Sequence, residues 1–213
     1  MNYKELIVES GKKLIHDHLT VETWGNISVR DKETGYIYLS PSAMDYDQIV
    51  EDDIIVCDRN GTTIEGHRKP TVEKDLHILV YQHRPDVNAV LHTHSLHATA
   101  FACLGATIPM FLEEAAQVFG TDCRTAKYAL PGSMELAENC VETLGEKSMC
   151  CLLKSHGTLC IGEDIKAAFK VAKVLEVTAD LYQMILAMGK KPDPISDENI
   201  AAMQEFFKYS YRQ

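Results

Sequence analysis

The chain has 213 residues, with 21 Lys and Arg against 31 Asp and Glu, a formal charge of −10 with histidine neutral. At 46% hydrophobic and 24% charged residues without a biased tract, disordered and collagen-like classes are excluded, and one domain over residues 1–213 with a well-buried core is expected. The acidic balance offers no basic stripe to a phosphate backbone or an anionic leaflet, no apolar run reaches the ~18 residues of a span, and the opening MNYKELIVES is charged and helical in pattern; no nucleic acid, no membrane and a cytoplasmic location are the expectations.

Asn2 can cap a first helix reaching roughly His18, with Leu6, Ile7, Leu14 and Ile15 at helical spacing. After Trp24-Gly25-Asn26 the period changes to two: Ile27 to Arg30 and Tyr36 to Ser40 read as one hairpin, Asp53 to Cys57 and Thr62 to Glu65 as another. Thr71 can cap a helix to about His83; a strand from Asn88 to His94 and a helix from Ser95 to about Leu104 follow. Glu113 to Phe119 fits either helix or loop plus strand. Ser133 opens a helix to Leu144, and apolar runs at Cys150 to Lys154 and Thr158 to Ile161 flank Ser155-His156-Gly157. Asp164 to Met188 is the longest helical pattern, and Ser196 begins a final helix ending near Phe207. The fold class is α/β of the α+β type, a central and mainly antiparallel sheet flanked by helices.

His92 and His94 stand two apart near the end of an apolar strand, so both imidazoles project from one face. An HxH pair alone is weak; His156, at the turn between two apolar runs, is the third donor that would complete a site. Three neutral imidazoles with an open position suit a catalytic Zn²⁺ or similar divalent ion better than a closed structural site. The seven cysteines include an adjacent pair, Cys150 and Cys151, but no CxxC, which argues against a disulfide framework or a cysteine zinc site and reads as buried thiols. Glu73 falls where the helix dipole favours a carboxylate, which by itself implies no chemistry; His77, four residues on, is expected to pack beside or hydrogen-bond it. His16, His18, His67 and His83 need no special role, and His97 reads as an outer or surface residue. Gly25-Asn26 and Ser40-Pro41-Ser42-Ala43 border strands and are either plain turns or sources of phosphate-binding N–H and O–H groups; no GxxxxGK[ST] loop is present.

Together, Gly25-Asn26-Ile27-Ser28-Val29-Arg30, Ser40-Pro41-Ser42, Pro70-Thr71-Val72-Glu73 with His77, Leu91-His92-Thr93-His94-Ser95 and Ser155-His156-Gly157 resemble the class II aldolase/adducin family over almost the whole chain, and especially its L-fuculose-1-phosphate aldolase-like branch. The resemblance implies a homotetramer, one Zn²⁺ per subunit on His92, His94 and His156, and Glu73 as acid/base. It also implies a substrate phosphate held by Gly25, Asn26, Ser42, Ala43, Thr71 and Val72. The implied reaction cleaves a ketose 1-phosphate to dihydroxyacetone phosphate and an aldehyde, with Tyr209 reaching an active site from the C-terminal segment. Two positions depart from the pattern: Val72 replaces a serine, and Glu113 replaces a tyrosine. The resemblance extends to the L-ribulose-5-phosphate 4-epimerase branch, which carries Asp in place of Glu73, and to dehydratase and decarboxylase relatives. Adducin-like heads keep the fold as interaction modules but lack the three histidines. The tail, with Tyr209, Tyr211 and Arg212, is expected to serve as a lid.

Overall fold

The computed structural model describes residues 1–209, so Tyr211 and Arg212 of the expected lid lie outside the described residues. Helix α1 (Tyr3–His16) starts where the Asn2 side chain accepts from the Glu5 N–H. Strands β1 (Asn26–Arg30) and β2 (Ile37–Leu39) form the first antiparallel hairpin, with Ser28 opposite Leu39. The second pairs β3 (Ile55–Cys57) with β4 (Thr63–Glu65). Asp53, expected in that strand, instead closes a one-turn 3-10 helix, where its carboxylate accepts from the Val50 N–H and from Arg68.

Helix α2 (Lys74–His83) begins later than Thr71 predicts. The Thr71 hydroxyl accepts from the Glu73 N–H within a turn, so Glu73 takes the position before the first helical residue. β5 (Ala89–Thr93) leads into α3 (Leu96–Leu104), and the ambiguous segment is helical as α4 (Glu113–Val118). A two-residue strand, β6 (Thr125–Ala126), precedes α5 (Met134–Leu144), which the Ser133 hydroxyl caps through the Leu136 N–H. β7 (Cys150–Leu153) and β8 (Gly157–Gly162) form a hairpin, α6 (Ile165–Ala187) is capped by Asp164, and α7 (Asp197–Tyr209) closes the described chain.

The eight strands make one sheet in the order β4-β3-β2-β1-β5-β8-β7-β6, antiparallel except for the β6–β7 pair. Strand alternation divides the core between its faces. Ile27, Val29, Leu91 and Cys160 pack with α1, α3 and α6, whereas Ile37, Leu39, Val90, Leu159 and Ile161 pack with Leu76 and Val80 of α2 and Leu136 and Cys140 of α5. Cys103 is exposed and the other cysteines are buried, all as free thiols. Among the described residues no helix is long and apolar enough to cross a membrane.

Candidate metal centre

Three segments deliver the three histidines. His92 lies in β5, and His94 follows its last residue with its N–H donated to the Leu19 carbonyl. His156 comes from the β7–β8 turn, where Leu153 pairs with Gly157 and Ser155 holds a left-handed φ of 57°. Such a conformation costs a non-glycine residue about 1–3 kcal/mol and persists where its surroundings over-determine it; here the Ser155 N–H is tied to the Ala102 carbonyl. Gly157 makes the approach possible, since a Cβ there would stand 2.4 Å from the Thr93 carbonyl and 3.1 Å from the His92 ring.

One donor atom from each of the three imidazoles lies within 4.8 Å of the others. His92 Nδ1 donates to the Thr158 carbonyl at 2.9 Å, which leaves Nε2 a bare lone pair. That lone pair sits 2.9 Å from His94 Nε2 and 3.2 Å from Glu73 Oε2. Burial holds His94 down to about 3 and His156 down to about 4, so both are neutral at pH 7. For Glu73, burial opposes ionisation, but positive charge at the positions of His92 and His156 and the Asn26 amide N–H₂ outweigh it and hold the carboxyl below its ordinary value. Three imidazoles and a carboxylate therefore converge on one point, and Glu73 Oε1, 3.6 Å from His156 Nε2, is buried without a hydrogen-bond partner. A buried carboxylate oxygen with no donor, set beside three imidazoles, is costly unless a cation lies among them, so the donor set fits a divalent metal ion.

Behind Glu73 runs a polar row that sequence reasoning missed. Asn26, Ser28 and Arg30 alternate along β1, while Glu73, His77 and Tyr81 recur every fourth residue along α2. Two strand residues advance about 6.6 Å and four helical residues about 6 Å, so the rows stay in register. Asn26 Nδ2 donates to Glu73 Oε2 at 2.9 Å, His77 Nε2 meets Asn26 Oδ1 at 2.5 Å, Ser28 Oγ meets His77 Nδ1 at 2.6 Å, and the Tyr81 hydroxyl meets Ser28 Oγ at 2.8 Å. Arg30 closes the row over the Tyr81 ring. The His77 ring thus bonds Asn26 and Ser28 and reaches the Glu73 carboxylate through Asn26, while its backbone N–H bonds the Glu73 carbonyl, so it packs beside Glu73 as expected.

The rim comes from loops. The strand bridge Pro41–Pro70, with the Ser42 N–H on the Lys69 carbonyl, brings Ser42, Ala43, Thr71 and Val72 together; Thr71 is buried and Val72 is 67% exposed. Gly25 adopts φ 72°, and a Cβ there would come within 2.7 Å of the His92 carbonyl, a close approach that requires glycine. The side chain of Asn26 is engaged by Glu73 and His77. Trp24, also missed, stacks on His94 at 6.0 Å between centroids. Glu113 is exposed at the start of α4, and Tyr209 is exposed at the end of α7, which packs against α4. His97 sits between Glu176 and Asp180 of α6, away from the triad, in agreement with an outer role.

Comparison with known proteins gives the family. The Class II Aldolase and Adducin N-terminal domain matches residues 5–183. The chain is 36% identical to the 5-deoxy-D-ribulose 1-phosphate aldolase of Bacillus thuringiensis serovar kurstaki, covering 88% of this chain and 87% of the relative. It is 33% identical to the L-fuculose phosphate aldolase of Escherichia coli K12, over 95% and 92% of the two chains. A solved structure of an L-fuculose 1-phosphate aldolase superposes with a TM-score of 0.93 at 37% identity, covering 97% of this chain and 96% of the other. The chain belongs to the class II aldolase and adducin family.

Proposed function

We propose that this protein is a Zn²⁺-dependent aldolase that reversibly cleaves a ketose 1-phosphate to dihydroxyacetone phosphate and an aldehyde, acting as a homotetramer in the cytoplasm. The observation that carries this reading is the convergence of three imidazoles, His92, His94 and His156, on a buried carboxylate whose Oε1 has no partner. Zn²⁺ held by His92, His94 and His156 supplies, when bound, Lewis-acid charge where negative charge develops on the oxygens of the three-carbon fragment. The names of the relatives, ketose 1-phosphate aldolases along most of this chain's length, support the substrate class.

Glu73 is the acid/base. Oε2 is anchored by the Asn26 amide and Oε1 has no partner, so Oε1 accepts the C4 hydroxyl proton. As it does, the C4 oxygen becomes the aldehyde carbonyl, the C3–C4 bond breaks, and its electron pair remains with the three-carbon fragment. Glu73 then returns a proton to C3, which releases dihydroxyacetone phosphate. The phosphate is held by N–H and O–H groups at Gly25, Asn26, Ser42, Ala43, Thr71 and Val72 rather than by lysines. This is supported by the loops that the Pro41–Pro70 bridge ties together. Tyr209, exposed at the end of α7, reaches an active site from the C-terminal segment.

The test is release of dihydroxyacetone phosphate from L-fuculose 1-phosphate and 5-deoxy-D-ribulose 1-phosphate, before and after metal removal by a chelator and after restoring Zn²⁺. Release that is lost on chelation and regained with Zn²⁺ is expected. Full activity in the metal-free protein, or no release from any of a panel of ketose 1-phosphates, would overturn the reading.

A further inference from the structure

A carboxylate has only acceptors, so the contact between Glu73 Oε2 and Asn26 places the amide N–H₂ toward Glu73 and the amide oxygen toward His77. His77 Nε2 must then carry the proton, and Nδ1 must accept it from the Ser28 hydroxyl. Ser28, its hydrogen committed, accepts from the Tyr81 hydroxyl. One direction of donation runs from Tyr81 through Ser28, His77 and Asn26 to Glu73. These side chains are all at most 5% exposed, so no water substitutes for a missing member. A buried row of this kind costs more to satisfy than an apolar one would, and this one ends on a single oxygen of Glu73 while the other has no partner.

We infer that His77 is a positioning residue for Glu73: its Nε2–H locks the Asn26 amide with the N–H₂ toward Oε2, which fixes that oxygen beside His92 and leaves Oε1 without a hydrogen bond beside His156, and Ser28 and Tyr81 hold His77 in the tautomer this requires. The inference rests on the assignment of proton transfer to Glu73. Were the Asn26 amide reversed, its oxygen would face the carboxylate and push it from its place. A shift of about 1 Å in a reacting group can cost on the order of 10²-fold in rate.

The test compares His77→Gln, whose amide N–H₂ stands near the lost Nε2–H, with His77→Asn, which reaches only toward Ser28. With L-fuculose 1-phosphate or 5-deoxy-D-ribulose 1-phosphate, whichever is turned over faster, His77→Asn should lower kcat ~10- to 100-fold while KM and bound zinc stay within about twofold. His77→Gln should recover most of that loss, and in a Glu73→Gln background His77→Asn should cost nothing further. Equal losses in both variants, or kcat, KM and zinc content falling together with melting temperature, would assign His77 to packing alone. Ser28→Ala, a small change at a buried site, gives a second path if the His77 variants do not fold: kcat should drop with KM unchanged, and a wild-type kcat would overturn the inference. Nitrogen NMR of isotopically labelled histidine provides a readout independent of activity, where the Nε2–H tautomer is expected at His77 and the Nδ1–H tautomer would contradict the row's direction. If Glu73→Gln turns over like the wild type, the assignment of Glu73 has failed; if it is inactive while His77→Asn is normal, only the role of His77 has.

Discussion

Glu176 on α6 uses both carboxylate oxygens at the start of α3: Oε1 accepts from the His97 N–H and faces His97 Nδ1, each at 2.8 Å, and Oε2 accepts from the Ala98 N–H at 3.0 Å. Glu73 also lies among histidines, but only Oε2 is hydrogen-bonded, to Asn26, and Oε1 is buried with no partner. Glu176 neutralises helix-end donors that would otherwise be orphans. Glu73 stands next to such an end, just before α2, yet makes no capping bond with its side chain and turns toward the histidines. A satisfied carboxylate explains itself through stability, whereas one kept buried with an idle oxygen needs another reason. The histidines beside them divide along the same line, with His97 between two carboxylates and His92 donating through Nδ1 so that Nε2 carries a lone pair.

The comparison breaks most visibly at the triad. His92→Ala should remove bound zinc and lower turnover by at least ~10³-fold, because Lewis-acid stabilisation is worth several kcal/mol, with circular dichroism still showing a folded chain. Metal content measured beside dihydroxyacetone phosphate release checks it; wild-type zinc binding would move the metal elsewhere.

Much of this site is legible in the sequence because it depends on local periodicity. His92 and His94 show as a pair because a strand repeats every two residues, and His156 because Ser155-His156-Gly157 interrupts two apolar runs. The start of α2 is less legible: the cap falls at Glu73, two residues after Thr71, since the Thr71 hydroxyl closes a turn instead of capping the helix. β6 escapes notice because two residues carry no pattern and its pairing with β7 is set by tertiary contact. The row behind Glu73 is invisible for a related reason. Its spacing of two along β1 and four along α2 is present in the sequence, but nothing local says that these two stretches, some 47 residues apart at Asn26 and Glu73, face each other.

A smaller effect is expected from pH. Burial lowers His77 and His94 to about 3 and His156 to about 4, against about 6.5 in the unfolded chain. Between those values the unfolded chain binds protons that the folded chain refuses, so stability is full above about pH 6.5 and declines as pH falls toward 4. Fully buried His77 alone contributes a slope approaching about 1.4 kcal/mol per pH unit. Denaturant unfolding of the metal-free protein from pH 8 to 5 should show this decline, and His77→Gln should make it shallower. A flat profile would mean that these imidazoles take up protons without cost.

The smallest effect is expected at the rim. Val72 is 67% exposed, so Val72→Ser should leave melting unchanged while adding a hydroxyl donor at the phosphate loops. One hydrogen bond to a charged group is worth about 1.5–3 kcal/mol at most, and KM for the ketose 1-phosphate should fall or stay level. A clear rise in KM would place the phosphate elsewhere.

The central claim is that Glu73 acts on substrate while Glu176 holds the fold, and it is tested most directly by measuring turnover and melting temperature of Glu73→Gln and Glu176→Gln side by side. Glu73→Gln should retain zinc and melt near the wild type, yet release dihydroxyacetone phosphate at least ~10²-fold more slowly, because an amide cannot carry the proton. Glu176→Gln should keep turnover within a few fold but lose about 1–2 kcal/mol from unsatisfied donors at the start of α3, a fall of roughly 2–8 °C. Unchanged turnover in Glu73→Gln, or a catalytic loss in Glu176→Gln as large as in Glu73→Gln, would contradict the account.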